Sequence, residues 1–591
     1  MRAGRGPGRM LHGMELFAPV DLERIPRPGG GFVLRSRAAA PEHARCLGDL
    51  LVRWAREAPS RTFLAERDAD ADADGDGWRR LSYAEVLEAA RAIAQALLDR
   101  GLGPARPLAI LSGNGVDHAL VALGAMHAGI PVAPLSPAYA LLSRDFARLR
   151  ELVAALAPGA VFAADRRPFE AALAAIGDVP VLPGIEELVR TRPGDAADRA
   201  FGALGGDTVA KILFTSGSTG VPRGIVNTHR MLCSNQAALA HGWPCLARRP
   251  PVVVDWLPWS HTFGGNHNFN LVLAHGGTLY IDAGKPAPGA FETSLRNLRE
   301  VPPTLYFNVP RGFDLLVGHL EADAELRAAF FRDLEIVFYA AAALSPATWE
   351  RLEAVARRAG ARVAMTSAWG STETAPLVTQ VHAPLARAGV IGVPIPGVEL
   401  AFVPAGDAHE LRVRGPNVTP GTWRAGGGVE PIALDELGFY AMGDAGKLAD
   451  PDDPAHGVVF DGRITENFKL STATWVRVGE LRIALCAACS PRISDAVITG
   501  HDRDEVGALV FPAPGQVVDG AFREALRVAL AAMDTGGSST RIARLLVLEE
   551  PPGIDAGEIT DKGYLNQRAI LARRAADVAR LYGGDPAVIT R

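Results

Sequence analysis

Residues Thr215 to Gly224, TSGSTGVPRG, gather hydroxyl side chains, glycines and one arginine directly behind the apolar KILF. That mixture suits the capture of phosphate. Glycines let successive backbone N–H groups converge on an anion, hydroxyls add donors, and a guanidinium supplies charge. The run departs from the P-loop pattern G-x-x-x-x-G-K-[ST], because the glycine spacing differs and no lysine follows. A flexible Ser/Gly linker is the bland alternative. The run is expected between a strand, KILF, and a helix, NTHRMLCSNQAALAHG, with Pro222 and Arg223 at fixed places, and that context favours an anion site.

Further residues able to do chemistry follow along the chain. WGSTETAP carries an aromatic ring and the carboxylate of Glu373; GFYAMGD carries Asp444; FDGRITENFKLS carries Arg463 and Lys469. A carboxylate suits a hard cation and a π-face suits a base. LPWSHTFGGNHNFN adds Trp259 and His261, TLYFNVPRGFD adds Asn308, YAAAALS spans Tyr339 to Ser345, and GEITDKG adds Lys562 near the end.

Two other patterns are weaker. In ERDADADADGDGW, Asp70, Asp72, Asp74 and Gly75 imitate the start of a calcium loop, but the twelfth position is Leu81 where a bidentate Glu is required. A solvated acidic hairpin tip is expected instead. CAAC, Cys486 and Cys489, has no second pair, and its surroundings ELRIALCAACS read as a helix face.

The elements that must position these residues are legible in outline. SYAEVLEAARAIAQALLDRG opens with a capping box, Ser82 and Glu85, and stops at Gly101. PLAILSG then reads as a buried strand, VDHALVALGAMHAG as a helix and IPVAPLS as a strand, an alternation that predicts an α/β domain with a largely parallel sheet. Beyond about residue 463 the composition changes to mixed strands, DAVITG and ALVFP, and an alanine-rich helix, as in a small α+β domain. A chain of 591 residues is too long for one compact core. The expected division is an N-terminal extension (1–40), a large domain (41–464) and a small C-terminal domain (465–591).

Composition narrows the partners. A 48% hydrophobic fraction with 21% charged residues belongs to a globular protein, and a net charge of −5 offers no basic field for nucleic acid or an anionic membrane. The most apolar window, His118 to Leu142, is interrupted by glycines and prolines, so no membrane insertion is expected. Five scattered cysteines favour a reducing compartment, and the arginine-bearing start has no apolar stretch behind it, so a cytoplasmic location is expected. A monomer or homodimer acting on small molecules is the expected form.

Taken in order, these motifs resemble the signatures of the adenylate-forming superfamily: acyl-CoA synthetases, luciferases and peptide-synthetase adenylation domains. The resemblance runs from about residue 40 to the end. It implies a large domain of stacked, mostly parallel sheets with helices and a small distorted barrel, followed by a smaller mobile α+β lid. It implies ATP, Mg²⁺ and CoA as cofactor and co-substrates. Thr215, Ser216, Gly217, Ser218, Thr219, Gly220 and Arg223 would hold phosphates. Thr372 would contact the α-phosphate, Glu373 would hold Mg²⁺, Trp369 would stack on adenine, and Ala341 would lie on the adenine side. Asp444 would accept the ribose hydroxyls and Arg463 would contact the ribose. His261 would stand at the mouth of the acyl pocket, with a general-base role as the lesser alternative. Trp259, Asn308 and Tyr339 would line that pocket. Lys562 would be the catalytic lysine, and Lys469 would face the site after the small domain swings about Thr465.

Several stretches are more specific. NTHRMLCSNQ, HTFGGNHNFNLVL, GGTLYIDAGKP, GPNVTPGTWR and DAGEITDKGYLNQRA are similar to bacterial feruloyl-CoA synthases, which activate hydroxycinnamic acids such as ferulate, coumarate and caffeate. Three features depart from the wider pattern. Arg223 stands where most relatives have lysine, STATW replaces a glycine turn after Lys469, and the tail lacks the S-G-K-x-x-R signature. The resemblance implies a two-step reaction through an acyl-adenylate, releasing AMP and pyrophosphate. Alternatives are another aryl- or fatty-acyl-CoA ligase, an acyl-AMP ligase that loads a carrier protein, and a non-catalytic adenylate-binding module.

Overall fold

The computed structural model of the chain describes residues 16–591 apart from 69–76, 217–221, 288, 343, 384, 386–387, 465, 473, 534–535 and 561–564. As far as Arg463, three sheets of 7, 4 and 11 strands are interleaved with helices.

The seven-stranded sheet is parallel where the sequence alternates strand and helix. Leu108–Ile110 lies between Val132–Pro134 and Ala160–Phe162, and Val209–Ser216 extends the row beyond Val132–Pro134. The first three are short and apolar throughout because both faces are covered. The helix Val116–His127 packs over two of them, and the helix Tyr83–Asp99, packed against it in turn, carries the expected capping box: Ser82 accepts from the Glu85 N–H while the Glu85 carboxylate accepts from the Ser82 N–H at 2.7 Å.

Two expectations fail in this part of the chain. The glycine loop does not lead from a strand into a helix. Pro222–Thr228 is itself a strand, antiparallel to Val209–Ser216, with Thr215 opposite Arg223 and Ser216 opposite Pro222. Ile225, Val226 and Thr228 are β-branched and favour extension. Only at Thr228, whose hydroxyl caps the Met231 N–H, does the helix His229–Gly242 begin.

The second failure concerns sheet type. The eleven-stranded sheet is parallel only at Leu305–Asn308, Ile336–Tyr339 and Ala364–Gly370. Its other eight strands pair antiparallel, and they end at an open edge, Leu22–Pro26, without closing into a barrel. Parallel neighbours need a crossover connection of a dozen or more residues, usually a helix. The chain after Gly370 has turns instead, so successive strands fold back on one another. Residues 22–36, assigned above to an N-terminal extension, supply two of these strands, Phe32 facing Phe402 with stacked rings 4.5 Å apart.

The small C-terminal unit has its own four-stranded mixed sheet, Ile493–Thr499, Val506–Pro512, Ile542–Val547 and Ile589–Thr590. The helices Val478–Cys489 and Gly520–Ala532 bury Leu485, Leu526 and Leu530 against it. Cys486 and Cys489 lie on the first of these helices, and burial raises both thiols, Cys486 to about 12 and Cys489 to about 11. Arg477 ties this unit to the large one through Asp461 at 2.6 Å, which also receives Lys447 at 2.9 Å. The acidic run 69–76 lies outside the described residues; the strands on either side, Thr62–Arg67 and Trp78–Ser82, pair antiparallel. No described helix is long and apolar enough to cross a membrane.

Candidate nucleotide and acid site

Open α/β sheets bind ligands beyond the carboxyl ends of their parallel strands. Ile336–Tyr339 and Ala364–Gly370 are parallel neighbours, so their ends lie on one side of the sheet, and two of the sequence motifs begin there. The chain leaves Ala364–Gly370 by a tight turn. A Cβ on Gly370 would lie 1.7 Å from the Pro376 carbonyl oxygen, so only glycine fits. The Ser371 hydroxyl accepts from the Glu373 N–H at 3.2 Å and opens the short 3₁₀ turn Thr372–Thr374. Two neighbours pin this turn by its backbone. Asn227 Nδ2 donates to the Thr372 carbonyl at 3.0 Å, and Thr419 N–H donates to the Glu373 carbonyl at 2.8 Å.

Charged groups converge beside the turn. Asp444 and Arg463 face each other across the antiparallel strands Tyr440–Leu448 and Val458–Arg463, with Arg463 Nε 3.4 Å from Asp444 Oδ1. Trp369 Nε1 donates to Asp444 Oδ2 at 2.8 Å. Burial raises the Asp444 pKa; Arg463 and the indole N–H oppose the rise, while Glu466 and Glu373 add to it. The half-buried Tyr440 phenol is raised as well, with Glu373 and Asp444 adding to the effect of burial and Arg223 opposing it. Arg223, Glu373 and Asp444 are therefore all within electrostatic reach of one phenol. Motifs separated by more than 200 residues of sequence meet here.

The remaining expected nucleotide residues are placed as follows. Thr215 sits opposite Arg223 at the mouth of the hairpin, and Ser216 ends the strand. Gly217, Ser218, Thr219, Gly220, Thr465 and Lys562 lie outside the described residues. Ala341 is exposed and takes φ +73°, a left-handed backbone that suits glycine better. Lys469 lies in the small unit on the strand Phe468–Lys469, its ammonium 5.0 Å from the Trp475 ring centroid.

The segment that carries Trp259 and His261 is buried and neutral in character. His261 begins a helical run that passes through a π-helical stretch, Phe263–Asn268, before the helix Phe269–Ala274. Its glycines are sterically required. A Cβ on Gly264 would sit 2.3 Å from the Leu257 carbonyl oxygen, and one on Gly265 would sit 2.4 Å from that of Trp259. Trp259 is packed edge-on against His118 and Phe269, with ring centroids 5.1 and 5.0 Å away.

Sequence reasoning missed three residues that join the two halves. Lys211 is buried beneath the hairpin and donates to the Gly265 carbonyl at 2.7 Å; burial lowers its pKa to about 7. Asn266 Nδ2 donates to Asn227 Oδ1 at 2.7 Å, and Asn227 in turn holds the Thr372 carbonyl. A hydrogen-bonded chain thus runs from the π-helical stretch to the Thr372–Glu373 turn. The one available signal was a lysine inside the otherwise apolar run AKILF.

Asn308 and Tyr339, expected at the acid pocket, end two neighbouring parallel strands. Side chains alternate across a strand. Phe307 and Phe338 are register partners whose rings lie 5.4 and 4.9 Å from His267, on the face of the π-helical stretch. Asn308 and Tyr339, the next residues along, point the other way. Asn308 donates to the Tyr306 hydroxyl at 2.9 Å, and Tyr339 packs on Trp349, ring centroids 6.1 Å apart. Phe263, Phe307 and Phe338 thus surround His267 on one face of the sheet, while Asn308 and Tyr339 lie on the other.

Comparison with known proteins agrees with this architecture. Residues 51–423 match the model of the AMP-binding enzyme family and residues 476–585 that of the AMP-binding enzyme C-terminal domain. The chain belongs to the AMP-binding enzyme family. Among curated relatives it is 29% identical over 548 residues to a non-canonical nonribosomal peptide synthetase, CymA, of Salinispora arenicola, covering 88% of this chain and 6% of CymA. It is 25% identical to a carboxylic acid reductase of Segniliparus rugosus, covering 71% of this chain and 37% of the reductase. With a Rhodococcus jostii CoA ligase for a methyl-dioxo-octahydroindenyl propanoate it shares 26% identity, over 68% of this chain and 76% of the ligase. The chain thus spans only a small part of the first two relatives. Among solved structures, O-succinylbenzoate Coenzyme A synthetase (MenE) from Bacillus subtilis with AMP superposes with a TM-score of 0.68 at 16% identity, covering 89% of this chain and 98% of MenE. The anthranilate CoA ligase AuaEII with anthranoyl-AMP gives 0.68 at 18%, covering 92% and 98%. At these identities the likeness is one of fold.

Proposed function

We propose that the chain is an ATP-dependent acid–thiol ligase that converts hydroxycinnamic acids, ferulate foremost, to their CoA thioesters in the cytoplasm through an acyl-adenylate, releasing AMP and pyrophosphate. The observation that carries this reading is the meeting of Arg223, Glu373, Asp444, Arg463 and Trp369 beside the carboxyl end of Ala364–Gly370 and the mouth of the glycine-loop hairpin. The hydroxycinnamate preference rests on the stretches that resemble feruloyl-CoA synthases, and the names of several relatives, among them acid:CoA ligases, are compatible with it.

Carboxylate and triphosphate repel each other, so attack on the α-phosphorus needs charge neutralisation. Arg223 and the loop amides serve the phosphates, Thr372 the α-phosphate, and Lys562 the developing charge from the small domain. Asp444 and Arg463 hold the ribose. Among the described residues no cluster of three His, Cys, Asp or Glu could hold a metal. Mg²⁺ is commonly held by one or two carboxylates plus substrate phosphates, and here Glu373 would be the carboxylate. Bound there, Mg²⁺ would offset phosphate charge. In the second step the small domain turns about Thr465, withdraws Lys562 and presents Lys469, and the CoA thiol displaces AMP. Trp259 and His261 border the acid.

The matches to CymA and the carboxylic acid reductase favour one further reading, in which the acyl group passes to a phosphopantetheinyl carrier instead of CoA. A panel of carboxylic acids with AMP release measured with CoA, with a carrier and with neither separates the readings. We expect the fastest turnover with hydroxycinnamates plus CoA. Turnover restricted to the carrier supports the second reading, and ADP as product would contradict both.

A further inference from the structure

We propose that Nε2 of His267 accepts a hydrogen bond from a hydroxyl on the aromatic ring of the acid, so that this one atom selects ring-hydroxylated acids over unsubstituted or fully methoxylated ones. The inference rests on the acid–thiol ligase reading above and supplies its specificity determinant.

Asp255 is buried. Its Oδ1 accepts from the Leu257 N–H at 3.1 Å and its Oδ2 accepts from Asn268 Nδ2 at 3.0 Å. Burial raises the Asp255 pKa to about 7, and in the ionised form present from there upward it takes only donors, so the Asn268 amide turns its nitrogen to Asp255 and its oxygen the other way. That oxygen lies 2.8 Å from His267 Nδ1. An amide oxygen only accepts, so Nδ1 carries the proton. Burial lowers the His267 pKa to about 4, so the ring is neutral near pH 7 and Nε2 presents a lone pair. His267 is only 1% exposed, and Nε2 has no hydrogen-bond partner among the described residues.

Buried acceptors are normally paired. The surroundings say which partner fits. Phe338 stacks on the imidazole with ring centroids 4.9 Å apart at 27°, and Phe307 and Phe263 meet it nearly edge-on at 5.4 and 5.8 Å. Aromatic walls with one acceptor suit a planar ring bearing an O–H donor. A methoxy oxygen has no proton to give and would meet the Nε2 lone pair with its own. The neighbouring residue, Asn266, starts the amide chain that ends on the Thr372 carbonyl. One helical stretch therefore presents the acceptor and is also tied to the turn proposed for the α-phosphate.

The test compares kcat/KM for acid-dependent pyrophosphate exchange with coumarate, cinnamate and 3,4-dimethoxycinnamate, in wild type, His267→Phe and His267→Gln. A site built to hold a hydroxyl rejects analogues lacking it by large factors, about 10²-fold or more. We expect that preference for coumarate in the wild type, its collapse to within a few-fold in His267→Phe, and its partial retention in His267→Gln, whose amide oxygen can accept. Should His267→Phe fail to fold, the wild-type ratios and His267→Gln still decide. Equal use of coumarate and cinnamate by the wild type, or an unchanged ratio in His267→Phe, overturns the proposal and leaves the ligase reading standing. No exchange with any acid overturns both.

Discussion

Glu373 follows one strand, Arg463 ends another and Asp444 lies buried within a third, all within electrostatic reach of one another; Asp255, Asn268 and His267 lie inside the core and are linked donor to acceptor. The first group consists of charges whose mutual distance is set by strand register. The second consists of one buried carboxylate that fixes the orientation of two neutral groups. In the first group a substitution removes charge from a site that tolerates the loss structurally. In the second it disturbs packing, tautomer and recognition together. The two regions should therefore separate rate from stability.

The largest expected effects fall on the charged region. Glu373→Gln should lower acid-dependent pyrophosphate exchange by about 10²–10³-fold, the usual cost of one preorganised electrostatic group. Its melting temperature should stay at the wild-type value, because the Glu373 backbone remains bonded to Thr419 and Ser371. Lys562→Ala should match that loss in adenylation and spare thioester formation from supplied feruloyl-AMP. Equal loss in both half-reactions would remove Lys562 from the role proposed for it.

Effects on the buried region are smaller in rate and larger in stability. Gly265→Ala drives a Cβ to 2.4 Å from the Trp259 carbonyl oxygen, and overpacking of this kind costs about 1–3 kcal/mol. Chemical denaturation measures it, and an unchanged midpoint would mean the π-helical stretch can open freely. Lys211 adds a pH dependence. Its folded pKa of about 7 lies below the unfolded value of 10.5, so between those values the unfolded chain holds a proton that the folded chain has lost. Stability contributed at Lys211 therefore rises with pH across this window, by up to about 1.4 kcal/mol per unit, and the full penalty is present below pH 7. The stability of wild type relative to Lys211→Met should increase from pH 7 to pH 9. A pH-independent difference would show that Lys211 stays charged. The smallest effect lies at Ala341. Glycine there relieves a φ of +73° and should add about 0.5–1 kcal/mol.

What could be read from the sequence follows the same division. Trp369, Glu373, Asp444 and Arg463 sit in short strings whose residue types suggest a chemistry, and the fold brings them near one another. The Ser82–Glu85 cap is local and was equally legible. The strand Pro222–Thr228 was missed because its proline and glycine read as loop, while its partner Val209–Ser216 supplied the pairing. The antiparallel half of the large sheet joins Phe32–Ser36 to Glu399–Ala405, a pairing that no local pattern signals. Leu305–Asn308 and Ile336–Tyr339 are buried throughout, so which of their side chains meet the π-helical stretch depends on packing that no local pattern signals. Lys211 and His267 draw their character from burial, which a sequence position alone does not specify.

The central claim is that one cleft joins an acid to the α-phosphate of ATP before any thiol takes part. Isotope exchange between labelled pyrophosphate and ATP, with ferulate present and CoA absent, tests it most directly. The account predicts exchange that depends on the acid and needs no CoA, with AMP equal to thioester once CoA is added. Exchange that requires CoA, or release of ADP and phosphate in place of AMP, would contradict it.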